Sequence, residues 1–272
     1  MIWPYGAQAA AMVSVELDNE FIWNALSEKV NYDYSTPKNQ SMGTYGSLRG
    51  LDRMLDSLCR FHTKVTFFVP GMFAERYPML VKKVADEGHE LAVHGHSHRD
   101  FSLLSGEEQR GELEQAILAI QQITGTRPVG FRLPEGSSTP ETLGILHDMG
   151  MLYDSSLFHH DIPFQLELEG TPISMAEIPM RWELQDFPYF AFGPGFPIGG
   201  GRIAIYDDVL ENWLCELDAD YDLGYCYVIK FDPQTIGSPG RMFLFDRVLQ
   251  AIAQRNIWCA TGTDIARHTL MQ

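Results

Sequence analysis

The chain has 272 residues, of which 45% are hydrophobic, 21% charged and 12% aromatic, the composition of an ordinary globular protein with one sizeable core. Its formal net charge of −16 disfavours nucleic acid or an anionic membrane as a partner, because both require clustered lysine and arginine. The N-terminal sequence MIWPYGAQAA lacks the pattern of a signal peptide, and no stretch approaches the ~18 apolar residues of a membrane span, so we expect a cytoplasmic protein.

Short apolar runs alternate with amphipathic segments along most of the chain, which is typical of βα units around a largely parallel sheet. In chain order the predicted elements are strand 11–17, helix 48–61, strand 65–70, helix 78–88, strand 89–95, helix 107–125, strand 129–134, helix 139–150, strand 226–232, helix 241–255 and strand 257–262. We find no internal repeat and no domain boundary. The sequence therefore predicts a single α/β domain over residues 1–272.

The stretch 157–205 interrupts this alternation. It is rich in proline, glycine and aromatic residues, and it contains the run FGPGFPIGGG at 192–201. Long irregular insertions of this kind are usually functional loops or subunit contacts. We therefore expect an irregular loop insertion here, and a homo-oligomer (a dimer or a tetramer) is the expected assembly.

Two pairs of polar residues stand at the ends of predicted strands. Glu16 and Asp18 are two residues apart, so both carboxylates face the same side of the first strand. His94 and His98 are four residues apart, and a turn leaving the strand can bring both imidazoles onto one divalent ion, with an acid from a neighbouring strand as the third ligand. Such a site keeps open positions, which a hydrolase needs. The side chain of His96 is expected to point elsewhere.

The acid pair, and two further residues that could belong to a site, Arg132 and Trp182, also have simpler interpretations. An acid pair at a strand end is most often solvated or a helix cap, and Arg132 could be an ion-pair partner inside the sheet. Trp182 taken alone is more often core packing. The position of both polar pairs at the carboxyl ends of early strands, where α/β folds collect their sites, favours a functional interpretation.

The order of the motifs resembles that of the polysaccharide deacetylases, the NodB-homology proteins of carbohydrate esterase family 4. After the acid pair, the chain carries TFFVPG (66–71), EGHELAVHGHSH (87–98), GFRLPEG (130–136), YDSSL (153–157), EIPMRW (177–182) and KFDPQTIGSPGR (230–241). The resemblance covers nearly the whole chain. It is strongest to an intracellular branch that includes cyclic imidases, metal-independent allantoinases and a peptidoglycan-deacetylase-like protein. It implies a distorted (β/α) barrel of the NodB type.

The resemblance also implies roles for individual residues. Asp18, His94 and His98 match the ligands of one divalent metal ion, usually Zn²⁺, with Co²⁺, Mn²⁺ or Ni²⁺ as alternatives. Glu16 matches the catalytic base, and Arg132 matches the arginine that keeps this base ionised. The base is usually an aspartate, so Glu16 reaches about 1.5 Å further towards the metal.

The other matched positions lie later in the chain. Trp182 and Asp186 match a tryptophan motif and the acid after it, and both are expected to bind substrate. Asp232 stands where the family usually has a histidine, and an aspartic acid can protonate a leaving amine only if its pKa is raised. Lys230 should face the same way as Asp232. Lys230 either neutralises Asp232 or takes the cationic role itself; we favour Asp232 as the catalytic acid and Lys230 as a substrate-binding residue.

These features predict a metal-dependent hydrolase that cleaves a non-peptide carbon–nitrogen bond of a small molecule, such as an amide, a cyclic imide or an N-acyl compound. An N-acetyl sugar or peptidoglycan deacetylase is the alternative within the same class. A catalytically weak family member that binds a metal or a small ligand is the alternative from another class, and the missing histidine at Asp232 is its main support.

Overall fold

The computed structural model describes residues 2–23, 27, 36–134, 137–191 and 203–272. The glycine-rich run 192–201 and the last two residues of the motif at 130–136 lie outside the described residues. Within them, the strands are β1 (Ala9–Glu16), β2 (Thr66–Val69), β3 (Glu90–Val93), β4 (Gly130–Phe131), β5 (Tyr153–Asp154), β6 (Phe164–Leu168), β7 (Thr171–Glu177), β8 (Cys226–Phe231) and β9 (Ile257–Cys259).

The described helices are α1 (Pro37–Tyr45), α2 (Leu51–Arg60), α3 (Gly71–Arg76), α4 (Pro78–Asp86), α5 (Gly106–Thr124), α6 (Thr142–Asp148), α7 (Phe187–Phe190), α8 (Tyr206–Leu223), α9 (Pro233–Ile236), α10 (Met242–Ala253) and α11 (Gly262–Leu270). The bounds of α5 follow from its sequence. Ser105 and Glu108 form a capping box at its start, and Gly125 ends it in the left-handed conformation with φ 73°. Among the described residues, none of the helices combines the length and the apolar composition that a membrane span requires.

The strands form one curled sheet in the order β6-β7-β5-β4-β3-β2-β1-β8, and β9 pairs with the first part of β1. All paired neighbours are parallel except β6 and β7. The prediction of a distorted (β/α) barrel is therefore confirmed. Because the strands are parallel, their carboxyl ends meet at one rim, where the candidate site lies.

The two faces of β1 bury different groups. Ala11 and Val13 belong to the large hydrophobic cluster that includes the buried sides of the helices, whereas Ala10 and Met12 belong to a smaller cluster inside the curl of the sheet. Since side chains alternate along a strand, Glu16 follows Ala10 and Met12 onto the inner face. The alternation therefore turns the acid towards the interior of the barrel.

The prediction of an irregular insertion over 157–205 is wrong for its middle part. Strands β6 and β7 form an antiparallel hairpin there, joined by Glu169 and Gly170. Both turn residues have positive φ, 50° and 76°, as a tight two-residue hairpin turn requires. Helix α8, which follows this region, was also not predicted.

Candidate active site

Asp18, His94 and His98 meet at the carboxyl ends of β1 and β3. Asp18 Oδ1 lies 3.3 Å from His94 Nε2, and Asp18 Oδ2 lies 3.3 Å from His98 Nε2. All three side chains are buried. Gly95 and His98 both adopt positive φ, 64° and 56°, and this sharp turn directs the two imidazoles to the same carboxylate.

These three residues fit a divalent metal ion. Their candidate ligand atoms lie within 4.8 Å of one another. The Nδ1 atom of His94 lies 2.9 Å from the carbonyl oxygen of Arg132, which can only accept, so Nδ1 carries the hydrogen and Nε2 presents its lone pair. Burial lowers the pKa of His94, although Asp18 and Glu16 oppose it, and this favours the neutral imidazole that a metal requires. His94 Nε2 and Asp18 Oδ1 are buried and have no hydrogen-bond partner within the described residues.

The predicted base, Glu16, lies beside this cluster. Its Oε2 atom is 3.8 Å from His94 Nε2 and 2.7 Å from Lys230 Nζ, and its Oε1 atom is 3.2 Å from Arg132 Nη1. Burial alone raises the pKa of Glu16, but the charge of Lys230, with a smaller effect of Arg132, holds it below its usual value. Glu16 is therefore an ionised carboxylate with two cations on its far side.

Arg132 is held rigidly under Glu16. Its Nη1 also donates to Ser14 Oγ at 2.9 Å, its Nε donates to the carbonyl oxygen of Ser155 at 2.8 Å, and its Nη2 donates to Ser155 Oγ at 2.9 Å. The guanidinium carbon lies 4.0 Å from the centroid of the Phe68 ring. Arg132 is thus an ion-pair partner inside the barrel, and the carboxylate that it pairs with is the predicted base.

Lys230 and Asp232 form a second buried pair. Lys230 Nζ lies 2.8 Å from Asp232 Oδ2, and the backbone N–H of Asp232 donates to both carboxylate oxygens of Asp186 at 3.1 Å. Burial lowers the pKa of Lys230, but Asp232 and Glu16 raise it well above its usual value. Burial raises the pKa of Asp232 well above its usual value although Lys230 opposes it, and burial raises that of Asp186 to about 6.

The charges of this buried cluster support a bound cation. Four carboxylates face two basic side chains: Glu16, Asp18, Asp186 and Asp232 against Arg132 and Lys230. Both oxygens of the buried Asp18 carboxylate face imidazoles, and burying a carboxylate without a compensating charge is costly, so the donor set fits a divalent ion.

A cavity of about 140 Å³ opens above the cluster. Its polar floor includes Glu16, Asp18, Arg132 and Lys230; Asp232 is fully buried and does not line it. Phe158 and Trp182 lie at the mouth. The Trp182 side chain is not part of the core, because it is 65% exposed and stacks on Phe158 with ring centroids 5.2 Å apart.

The structure thus brings the predicted residues together, but only some of them line the cavity. Trp182 and Lys230 line the cavity, whereas Asp186 is fully buried behind Asp232. The ring of His96 points away from the cluster, with Nε2 3.2 Å from Glu75. Sequence reasoning missed Phe158 and the support of Arg132 by Ser155, although Ser155 lies in the YDSSL motif and Phe158 follows it directly.

Comparisons with known proteins agree with this fold. A family model described as polysaccharide deacetylase matches residues 45–153. The peptidoglycan deacetylase-like protein FGM2 of Gibberella zeae is 30% identical over 234 residues, which cover 75% of this chain and 68% of that protein. The peptidoglycan deacetylase of Helicobacter pylori is 24% identical over 241 residues, covering 80% and 82%.

Among solved structures, the crystal structure of a Mycobacterium smegmatis protein named for the same family matches with a TM-score of 0.90 and 30% identity. The match covers 100% of this chain and 93% of that one. These matches define the class of protein, a deacetylase-type hydrolase of carbon–nitrogen bonds built on a distorted barrel. The chain belongs to the polysaccharide deacetylase family.

Proposed function

We propose that this protein is a metal-dependent hydrolase that cleaves the carbon–nitrogen bond of a small amide, cyclic imide or N-acyl compound. The observation that carries this proposal is the buried cluster of Asp18, His94 and His98 with the ionised carboxylate of Glu16 beside it, below an accessible cavity. A divalent ion held by the three residues, with Zn²⁺ favoured, supplies Lewis-acid polarisation of a carbonyl group and of water.

Glu16 is the base in this proposal. Its carboxylate borders both the ligand cluster and the cavity, and its lowered pKa keeps it ionised, the form in which it can accept a proton from the attacking water. Arg132 holds the carboxylate in place from below through Oε1. Glu16 therefore takes up the proton that the water must lose when the carbonyl carbon is attacked.

We assign the proton for the leaving nitrogen to Lys230 on geometry: its side chain lines the cavity, whereas Asp232, whose raised pKa would suit an acid, does not line it. The contacts with Glu16 and Asp232 use two of the three N–H bonds of its ammonium group, and the side chain lines the cavity. Asp232 lies behind Lys230 and holds it. After Lys230 has protonated the leaving nitrogen, Glu16 can return the proton that it took from water across their 2.7 Å contact, so the cycle balances.

The size of the cavity favours a small substrate. Its volume of about 140 Å³ is well below the roughly 300–1,000 Å³ of pockets that enclose drug-sized ligands. An N-acetyl sugar is the second candidate, because the exposed faces of Phe158 and Trp182 offer a stacking surface for a sugar ring. The names of the Gibberella zeae and Helicobacter pylori relatives point in the same direction.

A substrate panel separates these possibilities. Purified protein would be stripped of metal, reconstituted with Zn²⁺, Co²⁺, Mn²⁺ or Ni²⁺, and assayed on cyclic imides, linear amides, N-acetylglucosamine oligomers and peptidoglycan fragments. We expect metal-dependent turnover of the imides or amides. Turnover restricted to the sugars would establish the second candidate, and metal-loaded protein without turnover on the whole panel would support a binding role instead.

A further inference from the structure

The loop that carries both candidate histidines rests on one buried carboxylate. Glu112, on helix α5, accepts hydrogen bonds at Oε2 from the backbone N–H groups of His96 and Ser97, both at 2.7 Å. Its Oε1 accepts a hydrogen bond from Ser97 Oγ at 2.5 Å. Only 9% of Glu112 is exposed. One side chain thus holds two consecutive peptide groups between His94 and His98.

The opposite edge of the same loop is held by α3. The backbone N–H of Gly71 donates to the carbonyl oxygen of Gly95 at 3.0 Å, and that of Met72 donates to the carbonyl oxygen of His96 at 2.9 Å. Donors and acceptors of the loop are therefore bound on both sides. The loop cannot change conformation without breaking several of these bonds.

The backbone of the loop needs such support. His98 adopts a left-handed conformation with φ 56°, which is unfavourable for a residue with a Cβ atom. Gly95, at φ 64°, could not accept a side chain, since an added Cβ atom would lie 2.9 Å from Pro134 Cγ. Strained residues of this kind persist only where the surroundings hold them. The bonds to Glu112 lie between Gly95 and the strained residue His98.

We propose that Glu112 is a positioning residue for the candidate metal centre: its carboxylate holds the 94–98 loop in the conformation that places His94 and His98 around Asp18. This inference rests on the proposed function. It explains why an acidic side chain is buried in α5, since a buried carboxylate is tolerated where it accepts several hydrogen bonds. Glu112 lies outside the ligand set and acts on the metal only through the loop.

Metal affinity tests this role directly. Co²⁺ affinity and the visible absorption spectrum of the Co²⁺ form would be measured for the wild type, Glu112→Ala and Glu112→Gln, with Glu114→Ala, an exposed position on the same helix, as control. Each protein would be studied at a temperature where circular dichroism shows it folded. Supporting groups around metal ligands typically contribute about 10–100-fold in affinity, and we expect Glu112→Ala to lose affinity in that range with a changed spectrum.

Glu112→Gln should lose less, because its amide oxygen can still accept from the two N–H groups while its NH₂ donates to Ser97 Oγ. It also serves as the test if Glu112→Ala does not fold. Wild-type affinity and spectrum in the folded Glu112 variants would overturn the positioning role and leave the proposed function intact. A wild type that binds Co²⁺ but hydrolyses nothing would contradict the proposed function alone. A wild type that binds no Co²⁺ would contradict both.

Discussion

Lys230 Nζ lies 2.7 Å from Glu16 Oε2, closer to the predicted base than Arg132, whose Nη1 is 3.2 Å from Oε1 of the same carboxylate. The register of the sheet explains this contact. Ser14 of β1 pairs with Lys230 of β8, and Glu16 follows Ser14 on the same face of β1. The base is thus joined to β8, which ends one residue before Asp232.

This arrangement predicts unequal effects of substitutions at Lys230 and Asp232. Lys230→Met should lower kcat by about 10²–10⁴-fold, the usual range for a proton donor, because it removes the ammonium group that lines the cavity. Asp232→Asn should cost less, since Lys230 keeps its contact with Glu16. Steady-state kinetics on metal-loaded protein would check the order. A larger loss in Asp232→Asn would return the acid role to Asp232.

Glu16→Gln should keep the metal and lose activity by about 10²–10⁴-fold, because the amide cannot accept the proton of the attacking water. Kinetics and metal content would be measured on the same preparation. Loss of metal together with activity would make Glu16 a ligand instead of a base. Unchanged kcat would exclude it from the chemistry.

His94→Ala should abolish stoichiometric metal binding, because it removes one of only two nitrogen donors in the candidate site. His96→Ala is the matched control from the same loop, since the ring of His96 faces Glu75 and not Asp18. Elemental analysis of both purified variants would give the metal-to-protein ratio. Full zinc retention in His94→Ala would exclude this site as the metal centre.

Local sequence patterns predicted much of this site, because its parts lie at strand ends. The period of two places Glu16 and Asp18 on one face, and the four-residue spacing brings His94 and His98 together. The contact between Lys230 and Glu16 could not be predicted in this way, since it depends on the pairing of β1 with β8 across more than 200 residues. Glu112 was missed because its contacts depend on how helix α5 packs against the 94–98 loop, which the spacing of residues along the chain does not reveal.

Two elements were not predicted from the sequence, the β6–β7 hairpin and helix α8, and each was missed for a physical reason. The β6–β7 hairpin lies in a region whose prolines, glycines and aromatic residues suggested a loop, and its turn uses Glu169 at positive φ, which is rare for this residue type. Helix α8 buries Trp213 and Leu217 at helical spacing, but acidic residues around them lower its overall hydrophobicity. In both cases tertiary packing outweighed the local composition.

A last prediction concerns a carboxylate pair beside the site. Asp154 and Glu177 are paired residues on β5 and β7, and both are buried. Burial raises the pKa of Asp154 to about 6, and burial together with the charge of Asp154 raises that of Glu177 well above its usual value. Glu177 Oε1 accepts from the N–H groups of Ser156 and Leu157, so the pair supports the loop that leads to the cavity.

The raised pKa values of Asp154 and Glu177 make the free energy of unfolding depend on pH. Both pKa values are raised in the folded state, so between about pH 4 and pH 6 the folded protein binds more protons than the unfolded chain, and its free energy of unfolding falls as the pH rises. Each group can contribute a slope of up to about 1.4 kcal/mol per pH unit.

Glu177→Gln should therefore be more stable than the wild type at pH 7, and this advantage should shrink towards pH 4. Urea unfolding across this range would measure the difference, with the exposed Glu167→Gln on β6 as control. A Glu177→Gln curve parallel to that of the wild type would show that Glu177 does not titrate in this window.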